Sequence, residues 1–162
     1  MREIFGFPNP VNEKAARVVA GTVLAAAVLI LATGWLWLLV PLAYGFWARV
    51  LTGPRLSPLG WVAQRRVAPH LGEPKLVPGP PKRFAQGIGA VLTTTAALVG
   101  LVADATGAAE ALVAALAVAA GLESIFALCL GCQAFALLMR MGIVPKRICE
   151  ECADIWSRQA AA

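Results

Sequence analysis

Charge is scarce in this sequence. Only 14% of its 162 residues are charged against 59% hydrophobic, with a mean hydropathy of +0.74, too little polar surface to coat a soluble globule. The chain is expected to live in a lipid bilayer. Its single histidine, His70, stands alone in a proline-rich stretch and reads as a surface residue. No nucleotide-binding glycine loop, nucleophile elbow or metalloprotease motif occurs. The net charge of +5 does not imply nucleic acid, because the basic residues flank apolar runs and form no continuous stripe. No small-residue cleavage site closes an early apolar core, and Phe5, Pro8 and Pro10 occupy the start, so the first apolar run is expected to stay in the mature protein.

What is present is a series of apolar runs. Residues 15–33 come close to the roughly 20 residues needed to cross a bilayer core, and Asn12 is placed to cap the helix they form. Residues 35–51 follow after only a short turn, which predicts a tight hairpin. Trp35 and Trp37 at one end, with Tyr44, Phe46 and Trp47 towards the other, resemble interfacial aromatic belts. Pro41 is expected to kink this second span. Residues 52–83 form the one long polar segment. Within it Ser57 and Pro58 suit a helix start, and Leu59, Val62, Ala63, Val67 and Leu71 share one face of a short amphipathic helix lying on the membrane. Arg65 and Arg66 in that helix are expected to meet lipid headgroups. Residues 84–103 supply a third span, with Gly87, Gly89 and Gly100 allowing close helix approach.

The last apolar run, residues 108–141, is too long. As one straight helix it would reach about 50 Å, against a bilayer core of about 30 Å. A kink near Gly121 is predicted, with 108–120 leaning along the outer interface and 122–139 crossing; one tilted helix is the alternative. The result is an all-α integral membrane bundle of four transmembrane helices, a single membrane domain over 1–162 with a tail at 142–162. All 14 Lys and Arg residues fall on one side of it. By the positive-inside rule both termini and the 52–83 loop face the cytoplasm, and the expected location is a cytoplasmic membrane crossed several times.

The chemistry lies in cysteine. Cys129 and Cys132 sit in the last apolar run, Cys149 and Cys152 in the tail. Counted back from Arg140, the first pair is expected about 12–16 Å inside the bilayer, where a thiol behaves as a small hydrophobe unless a cation or helix end activates it. Three readings stay open: a redox pair served by a lipid-soluble carrier such as a quinone, zinc or iron bound by all four cysteines at C-x2-C-x16-C-x2-C spacing, and plain packing. Glu123 is a possible intramembrane acid.

Four blocks, F-P-N-P-V-N from Phe7, G-P-R-L-S-P from Gly53, P-P-K-R-F-A-Q from Pro80 and C-L-G-C from Cys129, resemble a family of small four-span bacterial membrane proteins of unknown function, frequent in actinobacteria. The resemblance implies the fold but no catalytic residues. It also implies an association with thioredoxin-like proteins or sulfurtransferases. The resulting expectation is a thiol-redox or sulfur-handling component in which Cys149 and Cys152 meet such a partner while Cys129 and Cys132 serve the membrane carrier. A non-catalytic scaffold is a further alternative, and a transporter would require an oligomer.

Overall fold

In the computed structural model, residues 7–145 and residue 148 are described. Helix α1 runs Glu13–Thr33, opened by Asn12, whose side chain accepts from the Lys14 amide, and closed by Gly34 in the left-handed region. A 3-10 turn, Leu36–Leu38, leads into α2, Leu39–Thr52. Helix α4 spans Gly79–Leu101 and α5 Thr106–Phe126, and a short α6 covers Leu130–Arg140. Three helices, α1, α4 and α5, are long and apolar enough to cross a membrane, and Leu36–Thr52 forms a shorter apolar element.

Although only Gly34, Trp35 and the 3-10 turn join α1 to α2, the two helices do not form the packed hairpin that the short link suggests. Helix α1 packs chiefly on α5, α2 on α4, and α4 on α5. Two layers of core side chains result. Val19, Val23, Phe46, Ala90, Leu116 and Ala120 fill one, and Ala27, Ile30, Leu39, Ala96, Ala109 and Val113 the other. The outward faces carry large apolar residues, among them Val28, Tyr44, Val91, Leu98 and Val118, as expected where lipid is the solvent. Gly89 receives the Phe46 ring, and Gly100 lies against Leu36 and Ala109. Pro41 does not kink α2: it falls in the first turn, where its missing amide would have had no helical partner.

The polar segment folds against the bundle's end. Ser57 accepts from the Gly60 amide and starts α3, Pro58–Val62, which continues through a π turn, Ala63–Val67, and a 3-10 turn, Ala68–Leu71. Each change of helix type moves the buried face, so the single apolar stripe expected here is broken up. Gly60, Ala63 and Ala68 point inward, whereas Val62 and Leu71 are exposed. A two-residue antiparallel ladder, β1 (Val11–Asn12) with β2 (Leu76–Val77), ties the N-terminal arm to the approach to α4.

The expected kink near Gly121 is not there. Helix α5 passes through Gly121 and stops after Phe126, and its 21 residues reach about 30 Å, a full bilayer core. Ala127 adopts the left-handed region, φ 58°, a conformation that strains a residue with a Cβ by roughly 1–2 kcal/mol. What holds it is tertiary. The Ala127 and Leu128 amides both return to the Leu122 carbonyl, and the Arg17 guanidinium of α1 donates to the Ser124 carbonyl at 3.0 and 3.1 Å and to that of Ile125 at 3.1 Å. The last carbonyls of α5 are thus satisfied by a neighbouring helix.

Candidate functional site

Moving the break from Gly121 to Ala127 changes the setting of the cysteines. Cys129 is not inside a helix: its backbone is extended and it caps α6, with its Sγ accepting from the Cys132 amide at 3.3 Å. Cys132 lies in the first turn. The two Cα atoms are 5.2 Å apart, with the sulfurs at disulfide distance, inside the usual Cα range for such a bond. An uninterrupted helix would have bridged this spacing only with distortion; the extended Cys129 removes that difficulty. The pair therefore stands where α1 and α4 begin and α5 ends, rather than half-way through the bundle.

Helix α6 is held there by α4. A methyl group on Gly131 would meet the Ala85 Cβ at 2.5 Å and its Cα at 2.6 Å, so only glycine lets the backbones approach this closely. The Phe84 and Phe135 rings meet at 5.6 Å between centroids, inclined at 55°, with Met139 and Val144 beside them. These contacts fix the helix whose cap and first turn carry the two sulfurs.

Two cavities meet at Cys129. One, of about 400 Å³, is walled by Cys129, Cys132, Gln133, Phe126 and the Leu76–Pro78 strand, with Glu13 and Lys82 at its edge. The other, of about 320 Å³, lies among α1, α2, α4, α5 and α6 and is walled mainly by apolar side chains together with Glu123 and Cys129. Glu123 is not at the outer interface. Its carboxylate accepts from the Lys82 ammonium at 2.6 Å, and the two side chains are only 14% and 8% exposed.

Sequence reasoning treated Lys82 and Arg49 only as charges that orient the chain, yet both are buried here. A cation in the last turn of one apolar run, facing another in the first turn of the next, was the signal available. Arg65 and Arg66 are exposed, with Arg65 over the Trp61 ring at 5.7 Å. Among the described residues no three His, Cys, Asp or Glu side chains gather as metal ligands; the other two ligands of the zinc or iron reading, Cys149 and Cys152, lie outside them.

No curated protein and no solved structure matches the chain. A family described as a domain of unknown function, DUF4395, matches residues 11–140. That match takes in every helix described above, and the protein belongs to the DUF4395 family.

Proposed function

We propose that the protein is an integral membrane component of thiol–disulfide exchange, with Cys129 and Cys132 as the reacting pair. The observation that carries this reading is their arrangement: two sulfurs at disulfide distance, on the cap and first turn of a helix, in the wall of a cavity of about 400 Å³. In the reduced protein the Cys132 amide stabilises a thiolate at Cys129, as helix N-termini do. The Cys129 thiolate attacks a disulfide and releases one partner thiol, and Cys132 then attacks the Cys129 sulfur and frees the second. Two electrons and two protons leave the pair. In the opposite direction a partner dithiol reduces the Cys129–Cys132 disulfide and leaves as a disulfide, and an oxidant such as a quinone then takes two electrons and two protons from the reduced pair, becoming a quinol and restoring the Cys129–Cys132 disulfide.

The same proposal holds four spans, α1, Leu36–Thr52, α4 and α5, with α6 too short at 11 residues to cross. Lys14, Arg17, Arg49, Lys82 and Arg83 all stand at the bundle end that holds the cysteines, while the other end has the Thr33–Gly34 turn and Asp104. By the positive-inside rule the cysteine end faces the cytoplasm, with Arg65 and Arg66 at the headgroups. Cys149 and Cys152, which follow α6 in the chain, exchange with a soluble thioredoxin-like or sulfurtransferase partner.

Differential alkylation of the fully reduced protein at neutral pH tests the assignment of the nucleophile. Cys129 is expected to react roughly tenfold faster than Cys132, because only the Cys129 sulfur has a helix N-terminal amide to stabilise its thiolate. Equal rates, or a faster Cys132, would overturn it.

A further inference from the structure

Arg49 is 5% exposed, and its guanidinium is incompletely satisfied. The Nε–H donates to Gln86 Oε1 at 2.8 Å and Nη1 to Ser57 Oγ at 3.3 Å, and the Phe46 ring lies 4.6 Å from the guanidinium carbon. Nη2 is buried and has no partner among the described residues. With Glu13 engaged by Lys75 and Glu123 by Lys82, the buried Arg49 has no carboxylate of its own among the described residues. The carbonyl end of α2 offsets about half a charge at most, and a buried charge left unpaired is strongly unfavourable.

A cavity stands beside this cation. It is lined by Arg49, Lys82, Asn12, Gln64 and Gln86 together with apolar residues such as Phe7 and Val19, is partly open, and has a volume of about 60 Å³. That is the space of a few waters at roughly 10–15 Å³ each, enough for a compact oxyanion and too little for a large ligand. Arg49 offers a planar fork of donors suited to bidentate oxyanions. Gln64, Gln86 and Asn12 add neutral amide groups that can donate.

We propose that this cavity binds a compact oxyanion group, phosphate- or sulfate-like, with Arg49 as its principal ligand and Lys82 as the second cation. The bound anion supplies the counter-charge that the described residues do not. The site is independent of the thiol chemistry, although Lys82 lines both this cavity and the one beside Cys129. The same chemistry is offered by a free inorganic anion and by a lipid phosphate.

The test is thermal unfolding of delipidated, detergent-purified protein, titrated with sodium phosphate or sodium sulfate against sodium chloride at equal ionic strength. Wild-type protein is expected to gain several degrees in Tm, saturably, with the oxyanions and not with chloride. Arg49→Met keeps an apolar side chain of similar length and removes the charge, and it is expected to lose the response while remaining at least as stable without anion. If that variant does not fold, Arg49→Lys is expected to shift half-saturation to higher concentration. Parallel titration with phosphatidylglycerol micelles separates the sources: a response to lipid but not phosphate assigns a headgroup, and a response to phosphate assigns a free anion. A wild-type protein indifferent to phosphate, sulfate and phosphatidylglycerol, or an undiminished response in Arg49→Met, would overturn the proposal.

Discussion

A Cys132→Ser variant is expected to trap a mixed disulfide on Cys129. In wild-type protein the proposed exchange has Cys132, whose Cα lies 5.2 Å away, discharge an adduct formed at Cys129 with a small disulfide. A tethered thiol acts at an effective concentration of millimolar or more, so with micromolar external thiol the adduct should persist at least about a thousandfold longer in the variant. Cys129→Ser is expected to form no comparable adduct, because Cys132 lies inside the helix and lacks the amide donor that Cys129 has. Both variants are best made with Cys149 and Cys152 replaced by serine, so that only the first pair reports. Intact-mass measurement of the adduct over time checks the prediction. Equal adduct lifetimes in wild type and Cys132→Ser would show that the second cysteine does not resolve the first.

The second large effect concerns the Lys82–Glu123 pair. Both side chains are nearly buried and 2.6 Å apart. Lys82→Met leaves Glu123 without its counter-charge, and removing one partner of a buried pair typically destabilises by about 3–5 kcal/mol. The double variant Lys82→Met, Glu123→Leu removes both charges, and most of that loss should return, since two apolar side chains of similar volume suit the site about as well as the pair. Unfolding in mixed micelles checks both. If the single and double variants are equally destabilised, the pair contributes by its shape rather than by its charge.

Much of the architecture was legible because it is local. Asn12 and Ser57–Pro58 start helices where their side-chain chemistry says they should, and the apolar runs have the lengths and aromatic edges of membrane elements. The end of α5 was illegible for an equally physical reason. A left-handed residue invites a glycine, and the glycine in this region, Gly121, is not the one that turns. Ala127 turns because Arg17, more than a hundred residues earlier, covers the carbonyls that the break exposes. No local pattern announces such a contact. Counting back from Arg140 along one helix puts Cys129 and Cys132 deep in the bilayer, whereas the break at Ala127 puts them where α5 ends and α4 begins.

The candidate site was legible as residue types and not as geometry. C-x-x-C was evident from the sequence; that its first cysteine caps a helix was not. Lys82 and Arg49 looked like the flanking charges they resemble in composition, and only the packing of α2 against α4 and of α4 against α5 makes them buried. Gly131 was likewise visible as a small residue, but its contact with Ala85 depends on a helix boundary that the sequence does not mark.

The central claim is that Cys129 and Cys132 cycle between dithiol and disulfide, and the most direct measurement is a thiol count on the protein carrying Cys149→Ser and Cys152→Ser, purified without reductant. Mass-tagged alkylation under denaturing conditions would be done before reduction, after reduction, and after reoxidation of the folded protein. The expected result is no tag at first, two after reduction and none again after reoxidation. Two tags before any reductant is added, in a protein whose thiols then resist oxidation while folded, would contradict it and leave packing as the role of the pair.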